Sequence, residues 1–276
     1  MISSIDNSIS PFHQAILLLD IDGTMIITGK PLAPDLASLL MPLQNAKRLC
    51  ITTARHPQGV QFVLAPLLGF VPTISLNGGA IHLSSWSTFD HAIYFSDQSI
   101  ANLIEEISSH DLTISCYGTD FWAVSKMSSF VQEEAYVTGM TPMMLSSSHL
   151  LRCIKVTLMA DHGLLVEIKS HIALNISSID ANFSHASFLE LSPAYSSKAS
   201  MLKYLLSAFP LDSNSPYIFF VGDSQNDLEW AQLANEAWTF PSSPNELKQI
   251  CRGVLPFNDG PGLRQFLVNI SLCKEI

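Results

Sequence analysis

Five short apolar runs, at 15–19, 49–52, 73–76, 217–221 and 237–240, constrain this chain more than any other feature. They are nearly continuous in apolar character instead of alternating with polar residues. That pattern belongs to strands buried on both faces, as in a parallel sheet. Parallel neighbours need crossovers of about a dozen residues or more, and helical patterns fill the intervals. Leu36, Leu39, Leu40 and Leu43 follow i, i+3, i+4, i+7 spacing, with Pro42 expected to kink or shorten the helix. Leu202, Leu205, Leu206 and Phe209 repeat the spacing, and Trp230, Leu233 and Ala234 mark a helix stopping near Asn235. Ser243-Pro244-Asn245-Glu246 reads as a capping box ahead of Leu247, Ile250, Cys251 and Val254. A last helix carries Leu263, Phe266, Leu267 and Ile270. Strands alternating with helices predict an α/β protein with a doubly wound parallel sheet, which binds ligands at the carboxyl ends of its strands.

The interval from Thr53 to Lys198 is far too long for one crossover, so it holds a folded insert. A hairpin over 80–83 and 91–95 completes the core, which takes residues 1–95 and 187–276. The insert, 96–186, is expected to be an α+β cap. It opens with an amphipathic helix on Ile100, Leu103, Ile104 and Ile107, and strands follow at 113–117, 121–125 and 153–159. Ser146–Ser148 reads as a solvated loop, Asp161-His162-Gly163 as a turn, and Met140, Met143 and Met144 as packing within the cap.

The 276 residues are 47% hydrophobic and carry a formal net charge of −10. That charge argues against a general nucleic-acid binder, which needs a basic footprint, yet leaves a small phosphorylated ligand open. Cys50, Cys116, Cys153, Cys251 and Cys273 are odd in number and contain no CxxC pair, so they read as reduced core residues. No run approaches the ~18 apolar residues of a membrane span. The first ten residues hold Asp6 and no Lys or Arg, unlike a secretory signal. The expectation is a cytoplasmic protein without a membrane partner; its oligomeric state is not set by these features.

The first run ends in Asp20-Ile21-Asp22-Gly23-Thr24. Carboxylates at the end of a buried strand are costly unless a cation or chemistry uses them. Side chains two apart on an extended segment point the same way, so Asp20 and Asp22 can face one centre. Gly23 permits a tight turn whose N–H groups, with those of Thr24, could cradle phosphoryl oxygens. The run at 217–221 ends likewise in Gly222-Asp223-Ser224-Gln225-Asn226-Asp227. If adjacent strands unite the clusters, Asp20, Asp22, Asp223 and Asp227 gather four formal charges, and an all-oxygen set without His or Cys suits Mg²⁺. Thr53 and Arg55 offer a hydroxyl and a cation at the same rim, Lys198 another cation, and Asn77-Gly78-Gly79 a turn after a buried strand. An EF-hand loop is excluded, because counting from Asp20 puts Met25 and Pro31 at the positions needing Gly and Glu.

Taken in order, D-x-D-G-T at 20–24, T-A-R at 53–55, N-G-G at 77–79, Lys198 and G-D-x-x-N-D at 222–227 resemble the haloacid dehalogenase superfamily. The large insert is similar to that of the C2-capped, Cof-type (subfamily IIB) phosphatases. The resemblance implies a Rossmann-like core with an inserted cap. It implies Asp20 as nucleophile forming an aspartyl-phosphate, and Asp22 as the acid and then the base. Thr53 and Lys198 would orient and neutralise the phosphoryl group. Asp20, Asp22 through its main-chain carbonyl, Asp223 and Asp227 would serve Mg²⁺, and Asn226 would lie near the phosphoryl group. Gly23, Thr24, Arg55, Asn77, Gly78 and Gly79 complete the expected substrate contacts. Two departures stand out: Ala54 replaces a usual glycine, and Thr239-Phe240-Pro241-Ser242 replaces a Gly-Asn-Ala stretch. The implied function is Mg²⁺-dependent hydrolysis of a small phosphorylated metabolite, a sugar phosphate foremost. A phosphomutase or phosphotransferase, and a non-catalytic metabolite-binding module, are the alternatives.

Overall fold

Strands form at the five expected runs: Ile16–Leu19, Leu49–Thr52, Thr73–Ser75, Ile218–Val221 and Glu236–Thr239. The computed structural model describes residues 15–27, 29–95, 98–196, 198–209 and 216–269. The readings made at residues 1–10, Ile270 and Cys273 lie outside these.

The first sheet runs in the spatial order Gly253–Val254, Glu236–Thr239, Ile218–Val221, Ile16–Leu19, Leu49–Thr52, Thr73–Ser75, Ala80–His82, His91–Ala92. Pairing is parallel up to Thr73–Ser75 and antiparallel in the last two steps. Alternate side chains feed two cores. Leu17, Leu19, Phe219 and Val221 pack with Leu36, Leu40, Leu43, Leu263 and Phe266. Ile16, Leu18, Cys50 and Phe220 pack with Met201, Leu202, Leu205, Trp230 and Leu247 on the opposite face. Each such side chain, fully buried, stabilises by about 1.5–3 kcal/mol before entropy is charged against it.

The helix Pro34–Asn45 continues for three residues past Pro42. The carbonyl that loses its helical partner there belongs to Ser38, an exposed residue. Ser243 does not cap the helix that follows. That helix is Asn245–Ile250, and the Ser243 hydroxyl turns back to accept from the Phe240 N–H at 3.2 Å.

The second sheet is ordered Ile179–His185, Phe188–Pro193, Lys155–Met159, Thr113–Tyr117, Trp122–Val124, Met143–Met144. The expected end of the insert at residue 186 falls in the turn of its terminal hairpin. Because Phe188–Pro193 pairs with the strands on both sides of it, we place the return to the core after Pro193. One face of this sheet, with Cys116, Val156, Leu158, Leu189 and Leu191, packs on helices Ser99–Ile107 and His162–Asn175. The opposite face carries Tyr117, Lys155, Thr157 and Glu190, and beside it lies the helix Ser129–Thr138. Ser147–Leu150 is a short helix in place of the expected loop. Met140 is buried in the cap, whereas Met143 and Met144 are exposed on an edge strand. Asp161 caps the helix His162–Asn175 by accepting from the Gly163 N–H at 2.9 Å.

Candidate active site

Parallel register sets the site. Leu19 is level with Val221, and the Asp20 N–H donates to the Val221 carbonyl at 3.0 Å, so both acidic segments leave the sheet at one edge. There Asp20, Asp223 and Asp227 offer carboxylate oxygens that all lie within 4.8 Å of one another. Burial raises the Asp20 carboxyl well above its ordinary range, and the charges of Asp227, Asp223 and Asp22 push it the same way. Asp223 is pushed up to about 7, first by burial and then by Asp227 and Asp22. Asp227 is raised by burial, although its Oδ2 accepts from the Asp223 N–H, the Ser224 N–H and the Ser224 hydroxyl at 2.9–3.0 Å.

The strand ends at Leu19 and the chain turns at once, so the extended geometry that would aim Asp20 and Asp22 together stops short. Gly23 has φ +76°, a backbone that favours glycine. Its N–H donates to the Ile26 carbonyl, and the Thr24 N–H to the Ile21 carbonyl. These amides therefore close the turn, in place of the expected phosphoryl cradle. The Thr24 hydroxyl donates to Asp223 Oδ1 at 3.4 Å. The Asp22 carboxylate lies outside the cluster of ligand oxygens: Arg55 holds both its oxygens, Nε to Oδ2 at 2.6 Å and Nη2 to Oδ1 at 2.7 Å. What Asp22 keeps to offer a metal is its main-chain carbonyl.

Thr53 follows the Leu49–Thr52 strand and is buried, its Oγ1 accepting from the Arg55 N–H at 3.1 Å. Arg55 donates from Nη1 to the Val137 carbonyl at 3.0 Å, so its guanidinium is already engaged. Lys198 is drawn down in pKa by burial, opposed by the fields of Glu229, Asp227, Glu190 and Asp20. Its Nζ donates to the Asn226 carbonyl at 2.6 Å. Gly78, at φ +95°, lies 3.3 Å from the Lys198 Cγ by its would-be Cβ, so the turn and this lysine fit together. Gly79 packs on Ile154. Asn77 donates to Glu190 Oε2 at 3.1 Å. Asn77, Lys198 and Asn226 line a cavity of about 370 Å³, and Asp22 and Arg55 line another of about 430 Å³ with Tyr117, Glu134, Lys155 and Glu190.

Lys155 and Glu190 were missed in the sequence. They form an ion pair at 3.0 Å with side chains 7% and 10% exposed. Their signal was a charge inside an apolar strand, Cys153-Ile154-Lys155-Val156 and Leu189-Glu190-Leu191. Nearby, the Tyr117 hydroxyl donates to Glu134 Oε1 at 2.5 Å, and burial raises both groups.

A parallel α/β core carrying an acidic cluster at its strand ends, with an inserted α+β cap, defines a class that known proteins name. The family model for haloacid dehalogenase-like hydrolases matches residues 17–267, and the chain belongs to that family. A haloacid dehalogenase-like hydrolase from Bacteroides thetaiotaomicron shares the fold at TM-score 0.78 and 21% identity, covering 93% of this chain and 99% of that one. One from B. subtilis gives TM-score 0.79 at 16% identity over 92% and 99%. A subclass IIB sugar phosphatase gives 0.75 at 13% identity over 94% and 99%. A provisionally assigned phosphatase of Haemophilus influenzae is 26% identical over 113 residues, 41% of this chain, and the match spans 42% of that relative's length. The C2-capped, Cof-type resemblance and the expectation of a phosphatase-class enzyme agree with these findings. No helix among the described residues is long and apolar enough to cross a membrane.

Proposed function

We propose that the chain is a Mg²⁺-dependent phosphomonoester hydrolase acting on a small phosphorylated metabolite, with a sugar phosphate as the favoured class. The observation that carries this is the convergence of Asp20, Asp223 and Asp227 within 4.8 Å. Three carboxylates raised by burial, with repulsion from their neighbours adding at Asp20 and Asp223, are a set completed by a cation, and donors that are all oxygen suit a hard ion. Asp20, Asp223 and the main-chain carbonyl of Asp22 would hold it, with Asp227 beside them. Bound Mg²⁺ supplies positive charge that lowers the repulsion between an anionic nucleophile and an anionic ester.

In this reading an Asp20 oxygen attacks phosphorus, forming an aspartyl-phosphate as the bond to the leaving oxygen breaks. Asp22 gives that oxygen its proton, then takes one from the water that attacks the same phosphorus and frees Asp20. Arg55 holds Asp22 at the margin of the cleft through two hydrogen bonds. Lys198 brings a positive charge to the rim, and Thr53 a hydroxyl. The cap face bearing Glu190, Lys155 and Tyr117 closes the cleft that receives the leaving group. The sugar phosphatase among the structural relatives supports the substrate class.

Inorganic phosphate release from p-nitrophenyl phosphate and a panel of metabolite phosphates, with and without Mg²⁺, tests the proposal. Mg²⁺-dependent release absent from Asp20→Asn is expected. Turnover no higher than this control across the panel would refute it, and isomerised product without free phosphate would mark a mutase.

A further inference from the structure

Three consecutive residues after Thr53 are each bonded to a different element of the cap. The Ala54 carbonyl accepts from Lys155 Nζ at 3.3 Å. Arg55 Nη1 donates to the Val137 carbonyl at 3.0 Å. His56 Nε2 meets the Gly118 carbonyl at 3.1 Å, while its Nδ1 accepts from the Gln58 N–H, so the ring donates from Nε2. Thr53, Arg55 and His56 are all buried. The segment is also fixed from the core side, since the Leu76 and Asn77 N–H groups donate to the Arg55 and Thr53 carbonyls. Just beyond it, the helix Pro57–Val63 packs against the end of the cap helix Ser129–Thr138, with a Cβ built on Gly59 3.3 Å from the Thr138 Cβ.

We propose that residues 54–56 form a seat for the cap and that Arg55 is a positioning residue joining that seat to Asp22. The guanidinium spans the two: one nitrogen is held by the cap helix, and the other two grip the Asp22 carboxylate. When the Val137 carbonyl withdraws, Arg55 loses the anchor that fixes its plane, and the two-point grip on Asp22 loosens with it. Asp22 is then in place only while the cap is seated, so proton transfer is confined to the closed cleft. This makes Arg55 a link between domain position and chemistry, not the free cation for phosphate that its place in the sequence suggests.

The inference rests on the phosphatase reading for its kinetic consequence but not for its structural one, and two measurements separate them. Gly59→Leu pushes on Thr138 without touching the carboxylates, and Arg55→Lys keeps the charge but loses the fork. Each is expected to lower kcat about tenfold or more with little change in KM, as misplacing a catalytic group does. If both act through one link, the double variant is no worse than the more damaged single one. Guanidinium is expected to rescue Arg55→Ala in the parent background and not beside Gly59→Leu. The second measurement needs no activity: amide exchange in Gly59→Leu is expected to quicken across residues 22–26 while residues 16–19 stay protected. Unchanged exchange at 22–26 overturns the inference, and so do additive kinetic losses. A parent protein without turnover, together with quickened exchange, would sink the phosphatase reading alone.

Discussion

Gly23 lies so close to Asp223 that a Cβ on it would come within 2.6 Å of the Asp223 Cγ, and its φ is +76°. Two motifs about two hundred residues apart in sequence thus meet with no atom to spare.

Gly23→Ala is therefore expected to act twice. The left-handed backbone costs an L-residue about 1–2 kcal/mol, and the added methyl displaces the Asp223 carboxylate. Urea unfolding should show that modest loss, while calorimetric Mg²⁺ affinity falls about tenfold or more, as it does when the support of a ligand is disturbed. Unchanged Mg²⁺ affinity would mean that Asp223 is not a ligand.

The raised Asp223 sets a pH dependence with a definite sign. A free aspartate titrates near ~3.9, whereas Asp223 in the fold titrates at about 7 because burial, then Asp227 and Asp22, disfavour its charge. Between these values the folded state keeps a proton that the unfolded chain has released, so metal-free stability falls as pH rises through the window. A bound cation competes with that proton. The Mg²⁺-induced rise in Tm should be large at about pH 8 and shrink toward pH 5. Thermal melts with and without Mg²⁺ check this, and Asp223→Asn should flatten the dependence.

Lys155 and Glu190 are a buried pair, and breaking one half strands the other. Lys155→Met is expected to destabilise by about 3–5 kcal/mol, measured by urea unfolding. Adding Glu190→Gln, which keeps an acceptor for Asn77, should recover much of that loss. A cost for Lys155→Met as small as that of a surface ion pair would contradict the burial argument.

The sheet was readable because unbroken apolar runs have few alternatives, and the acidic ends of two of them already pointed to a cation. The relation of Asp20 to Asp22 was not, since period-two reasoning assumes a strand that in fact ends at Leu19. Pro42 does not end its helix, because one lost hydrogen bond at the exposed residue Ser38 weighs less than the packed face of Leu36, Leu40 and Leu43. The strand Phe188–Pro193 drew no reading from the sequence, and its pairing with Ile179–His185 and Lys155–Met159 is what moves our proposed end of the insert past residue 186. Arg55 and Asn77 looked free for substrate because their partners, Val137 and Glu190, lie on the insert and are distant in sequence.

The most direct measurement is acid quenching of the enzyme during turnover of a radiolabelled phosphate monoester, followed by peptide mapping. Label on the peptide containing Asp20, absent in Asp20→Asn and dependent on Mg²⁺, is the predicted result. Phosphate release with no label on Asp20 at any quench time, even when Asp22→Asn slows the second displacement, would contradict the account.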